Sequence, residues 1–108
     1  MTPGPPELEA AVREHAWRLL ARDSAAREDF TPEAEIQPPD LLDQILREGF
    51  HQFELVAHAR IGAHHVFKTK YVGARTVVVQ ARWAQAPDGR WRMLDAEVAR
   101  LGPREDAR

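Results

Sequence analysis

Residues 64–101 read HHVFKTKYVGARTVVVQARWAQAPDGRWRMLDAEVARL, and the fold turns on this stretch. It is dense in β-branched and aromatic residues, the types that suit a pleated, half-buried surface. Two short interruptions divide it, Gly73-Ala74 and Ala86-Pro87-Asp88-Gly89. In the second, proline presets φ and glycine accepts the positive φ of a tight turn. Strands are therefore predicted over 64–72, 75–85 and 90–101, joined by loops short enough to make them antiparallel neighbours. Residues 50–61 have the same character and meet His64 across Gly62-Ala63, which extends the meander to four strands.

The residues before this sheet are patterned differently. From about Glu7 to Arg22, Leu8, Val12, His15/Ala16 and Leu19 recur at helical spacing. Asp23 or Ser24 is placed to cap a second, shorter helix through about Phe30, stopped by Thr31-Pro32. Ala34 to Gln37 reads as a short strand ended by Pro38-Pro39, and Asp40 precedes a third helix over 41–47 with Gly49 at its end. Helices first and strands second is an α+β layout: N-terminal helices packed on a curved antiparallel sheet. One domain over 7–101 is expected, with a disordered Pro- and Gly-rich lead over 1–6 and a frayed tail over 102–108.

Composition narrows the function classes. A chain of 108 residues, 44% hydrophobic and 30% charged, can bury a core without disulfides or metals. A net charge of −2, with acids and bases interspersed, leaves no footprint for nucleic acid or an anionic membrane. The absence of cysteine removes thiol chemistry, and the start lacks the basic-then-apolar pattern of a leader, so a cytoplasmic location is expected. Ser24 is the only serine and no glycine-rich phosphate loop is present, so no familiar Ser-His-Asp arrangement or nucleotide cofactor is expected. His51, His58, His64 and His65 suggest metal by number alone, and His64 and His65 point to opposite faces of a strand; neither metal nor cofactor is expected.

If Gly73-Ala74 is a two-residue turn, Tyr71 opposes Thr76 and Phe67 opposes Gln80, and opposed residues share a face. One face then carries Phe67, Thr69, Tyr71, Val78, Gln80, Arg82, Leu94, Ala96 and Val98, and reads as the helix-covered interior. The other carries Lys68, Lys70, Val77, Val79, Ala81, Trp83, Met93, Asp95 and Glu97. Its apolar members predict homodimerisation through Val77, Val79, Trp83 and Met93. A single bulge would exchange the faces.

The order of elements resembles that of the nuclear transport factor 2-like superfamily, a cone-shaped, cystatin-like α+β fold. Ala11-Val12-Arg13-Glu14-His15 through Ala21-Arg22-Asp23, Tyr71-Val72-Gly73-Ala74-Arg75-Thr76-Val77-Val78 and Gly89-Arg90-Trp91-Arg92-Met93 are similar to segments of its ketosteroid isomerase branch. The last is also similar to polyketide cyclase relatives. The resemblance implies a ligand pocket inside the cone. It also implies where that branch's chemistry would sit: the oxyanion-holding Tyr matches His15, the general-base Asp matches Pro38, and the second oxyanion acid matches Arg82. Proline abstracts no proton, so ketosteroid isomerase activity is not expected.

The candidates that remain are an apolar pocket bearing His15 and Arg82, with Trp17, Glu35, Phe67, Tyr71, Gln80 and Leu94 around a small apolar ligand. His15 lies on the buried stripe of the first helix, where imidazole can donate or accept a proton near neutral pH. Against it stands a core histidine bonded to a neighbour. An inward Arg82 needs an anion, from a ligand or from Glu35 or Asp40 in the manner of the epoxide-hydrolase branch. Against it stands an Arg that faces solvent. Asp95 becomes the acid if the faces are reversed. The rival to any pocket is a non-enzymatic homodimeric module whose cone is filled core.

Overall fold

A computed structural model describes residues 5–101, and the side chains of Arg100 and Leu101 lie outside that description. The elements run α1 (Pro6–Leu20), a 3-10 helix (Ser24–Asp29), β1 (Phe30–Gln37), α2 (Leu41–Glu48), β2 (Gln52–Ile61), β3 (His64–Val72), β4 (Thr76–Gln85) and β5 (Trp91–Leu101). Of the expected lead and tail, residues 1–4 and 102–108 fall outside the described residues. Pro6 belongs to α1 rather than to the lead. It occupies the start of the helix, where its fixed φ fits and its missing N–H is no loss, and Glu7 and Glu9 complement the helix dipole behind it.

α1 buries Leu8, Val12, His15, Ala16 and Leu19, the stripe predicted from its spacing. Asp23 caps the 3-10 helix by accepting from the Ala25 N–H at 2.9 Å. The chain then turns directly into β1 at Phe30, so Thr31-Pro32 does not end a helix but lies within a strand of eight residues. β1 pairs parallel with β5, giving a five-stranded mixed sheet of order β1-β5-β4-β3-β2 around the antiparallel meander. The helices cover one face of this sheet, and two clusters form the core. One gathers Leu19, Leu41, Leu42, Ile45, Phe50, Tyr71 and Val77; the other gathers Leu8, Val12, Phe67, Trp83 and Met93.

The β3–β4 connection decides which side chains enter that core. Val72 pairs with Thr76, so Gly73-Ala74-Arg75 is a three-residue connection rather than a two-residue turn. Gly73 is favoured by crowding: a Cβ there would sit 3.0 Å from the Phe50 ring and 3.2 Å from the Gly49 carbonyl oxygen. The extra residue shifts the register by one and inverts β4. Phe67 opposes Ala81, Thr69 opposes Val79 and Tyr71 opposes Val77. Val77, Ala81 and Trp83 are buried inside, while Gln80 and Arg82 turn outward. A bulge in β5 follows: Trp83 pairs with Met93 and Arg82 with Asp95, leaving Leu94 as the extra residue. Met93 and Ala96 therefore both face the core and Asp95 faces away from it.

Candidate functional site

Where α1 meets the start of β1, a buried carboxylate gathers an imidazole and two guanidinium groups. Asp29 ends the 3-10 helix and is 4% exposed, and His15 on the inner stripe of α1 is 6% exposed. His15 Nδ1 and Asp29 Oδ2 are 2.8 Å apart. Arg18, one turn further along α1, donates from Nη1 to both carboxylate oxygens at 3.0 and 3.1 Å. Arg90 approaches from the start of β5, its Nη2 lying 3.5 Å from Oδ1.

Burial works to raise the Asp29 pKa, but the bonds and charges of His15 and Arg18 together outweigh it and hold the carboxyl below its ordinary range. Asp29 is thus ionised at neutral pH and only accepts, which puts the bonded proton on His15 Nδ1. In the neutral ring the basic nitrogen is then Nε2. The imidazole meets Phe30 edge-on with ring centroids 5.7 Å apart, and Trp83 at 6.0 Å.

His15 borders an internal cavity of about 30 Å³, walled chiefly by Leu19, Leu42, Ile45, Phe30, Trp83 and Met93. Thr69 and Tyr71 add hydroxyl-bearing side chains to the same wall. Burial pushes the Tyr71 hydroxyl pKa up, so it remains a neutral O–H at physiological pH. The space suits about two or three water molecules, since a water needs roughly 10–15 Å³ of such volume. Chemically the arrangement is an oriented imidazole bordering a small, chiefly apolar chamber.

Of the residues singled out from sequence, His15 and Tyr71 meet at this cavity. Phe67 is buried in the neighbouring core cluster, where the ring of His58 stacks on it at 4.1 Å. Arg82, placed inside by the expected register, lies on the outer face and donates to Asp95 Oδ2 from Nε at 3.0 Å and Nη2 at 2.6 Å. Gln80 is on the same outer face, as are Glu35, whose register partner is Asp95, and Asp95 itself. Asp95 stays outside although β4 is reversed, because the bulge at Leu94 absorbs the reversal. Trp17 is 60% exposed and edges onto Phe53, away from the cavity. The apolar patch Val77, Val79, Trp83 and Met93, expected to carry a dimer, is interior. Asp40 is exposed and accepts from Gln44.

Asp29, Phe30 and Thr69 were not singled out as site residues, and Asp29 stood in the charge run Arg27-Glu28-Asp29 that read as a solvated face. The only sequence signal for it was its place between a capped turn and an aromatic strand start. A second pair lies along the inner face: His58 Nε2 and His65 Nδ1 are 3.1 Å apart. Among the described residues, no three His, Cys, Asp or Glu side chains converge as a metal site. No described helix is long and apolar enough to cross a membrane.

This architecture is shared with solved structures. An NTF-2-like protein of unknown function from Silicibacter pomeroyi superposes with a TM-score of 0.68 at 12% identity, over 88% of this chain and 92% of that one. A counterpart of unknown function from Shewanella baltica gives 0.64 at 13% identity, over 89% and 94%. A superfamily protein from Salmonella enterica gives 0.58 at 14%, over 86% and 87%. The chain is an α+β protein with helices packed on one sheet face, and that fold is the nuclear transport factor 2-like one. Within that fold it is a divergent form: no family model and no curated protein matches its sequence.

Proposed function

We propose that this chain binds a small uncharged molecule inside the cone and presents His15 to it as an acid–base group. The observation that carries this reading is the 2.8 Å contact of His15 Nδ1 with a buried, ionised Asp29, made by a ring that borders the cavity. Carboxylate-oriented imidazole is the arrangement that fixes a tautomer and aims the second nitrogen at a ligand. Tyr71 supplies a neutral hydroxyl on the same wall. Together they suit proton transfer at a ligand hydroxyl or carbonyl, the chemistry of isomerase-, cyclase- and hydrolase-like reactions. Arg82 has no part in it, being paired with Asp95 outside.

The test is a thermal-shift screen against ketones, phenols, epoxides and steroids, run on the wild type and on His15→Gln. A ligand at a hundred times its dissociation constant stabilises the native chain by about 2.7 kcal/mol. The reading predicts a saturable shift that His15→Gln removes; a shift that His15→Gln leaves intact sinks it.

The small cavity, about 30 Å³, favours a second reading: a non-enzymatic module with filled core. In that reading a second copy pairs through the outer sheet face, where Arg82, Lys68, Asp95 and Glu97 offer opposite charges to a twofold axis. A monomer at micromolar concentration by light scattering would remove it.

A further inference from the structure

The cavity beside His15 is too small for any organic ligand as it stands. A cavity of about 150 Å³ holds benzene, about five times the space open here. If the proposed site functions, some part of its wall must move. Phe30 borders the internal cavity and also lines an open groove of about 590 Å³ on the other side. That groove runs between Thr31-Pro32-Glu33 and the β4–β5 connection at Ala86-Pro87. Ala81 and Ala96 are likewise shared between the cavity and an outside depression, but they are held in the middle of paired strands.

The backbone around Phe30 is held differently. β1 pairs with β5 at Phe30↔Met93 and next at Glu35↔Asp95, so five residues of β1 advance against two of β5. Thr31 to Ala34 have no register partner on β5, and Pro32 among them has no N–H to contribute to a ladder. The stretch without register partners is the part of β1 that a ladder holds least. Asp29 fixes the near end: His15 grips it from the cavity side and Arg90 from the groove side.

We infer that Phe30 is the door of the cavity, hinged between the Asp29 anchor and the β1 bulge, and that it sets the ligand class: an uncharged molecule of about one ring carrying a hydroxyl or carbonyl. The ring that swings out leaves a ring-sized space continuous with the cavity, and an oxygen there meets His15. A charged ligand is excluded because the walls are chiefly apolar and the buried carboxylate of Asp29 already holds the Arg18 guanidinium. This inference rests on the reading under Proposed function.

The experiment follows 4-fluorophenol by fluorine NMR against the full chain, as wild type, His15→Gln, Phe30→Leu, Phe30→Trp and Arg90→Gln. A closed door lowers apparent affinity by the fraction of open molecules. Phe30→Leu is expected to tighten binding by about tenfold and speed exchange, Phe30→Trp to weaken it similarly, and Arg90→Gln to speed exchange. Wild-type binding that needs His15 but is unmoved by both Phe30 variants overturns the door while sparing the site. Binding by Phe30→Leu with none by wild type marks Phe30 as fixed core and overturns the inference. No binding by either takes down the reading beneath it as well.

Discussion

Asp29→Asn is the substitution that bears most directly on how this cone is held together. It keeps the shape of the side chain and removes the charge that His15, Arg18 and Arg90 share. Removing one partner of a buried ion pair costs about 3–5 kcal/mol. Two of the three partners recover water here, since the Arg18 and Arg90 side chains are 31% and 49% exposed, whereas His15 stays buried. The expected loss is therefore nearer about 2–3 kcal/mol, or on the order of 10–20 °C in Tm for a domain of this size. Urea unfolding followed by tryptophan fluorescence measures it. The pH dependence is a sharper check. The folded-state pKa of Asp29 lies below its ordinary 3.8, so the unfolded chain takes up this proton first as pH falls. Its stabilisation is complete above that value and disappears as pH drops through the folded one. The gap between wild type and Asp29→Asn should close in acid. A gap under about 0.5 kcal/mol at pH 7, or one that persists unchanged to strong acid, refutes the argument.

Three further outcomes are expected. His58 and His65 are both held below their ordinary 6.5, His58 by burial against the opposing pull of Glu9, His65 by burial and the charges of His58 and Arg60. The unfolded chain thus protonates first, stability falls as pH drops below that value, and His58→Gln/His65→Gln should flatten the Tm profile there. Arg82→Gln should change stability by about 0.5 kcal/mol or less, because both members of its ion pair are well exposed; a loss several times larger in urea melts would show that the pair has another role. Gly49→Ala should lose about 1–2 kcal/mol, since φ is +79°, while the Arg22 guanidinium beside it can swing aside; an unchanged Tm would mean that the α2 C-terminus relaxes freely.

The fold was readable because its signals were local. Leu8, Val12 and Leu19 keep helical spacing whatever they pack against, and Ala86-Pro87-Asp88-Gly89 makes its turn from its own φ preferences, with Gly89 at φ 89°. β1 was caught only in its second half, since Thr31-Pro32 argues locally against a strand. Its pairing is parallel with a strand sixty residues away, which no local pattern encodes. Which side chains face inward was not readable either. Gly73-Ala74-Arg75 takes three residues where two would also turn a chain, and Leu94 makes a bulge without a glycine to mark it. Neither choice is written in a local pattern, and each moves a strand by one residue.

That single residue separates the site expected from the site found. Had β4 kept the two-residue register, Arg82 and Gln80 would have lined the cone, and a buried guanidinium would have demanded an anion. With the register moved, Val77, Val79, Ala81 and Trp83 take the inner positions and the charge goes to solvent, where Asp95 meets it. The interior then needs little polar compensation except around His15, and Asp29 supplies it from outside the sheet altogether. His15 was findable because its helix announces its own inner face. Asp29 was not, because its burial depends on where the 3-10 helix delivers it against α1 and on Arg90, a residue of the far end of the meander. A carboxylate that holds an imidazole and two guanidinium groups from two distant segments is a tertiary feature. It also means that any ligand reaching His15 arrives at the joint where α1, β1 and β5 are tied together, so binding at this site and the stability of the cone should be measured as one coupled quantity.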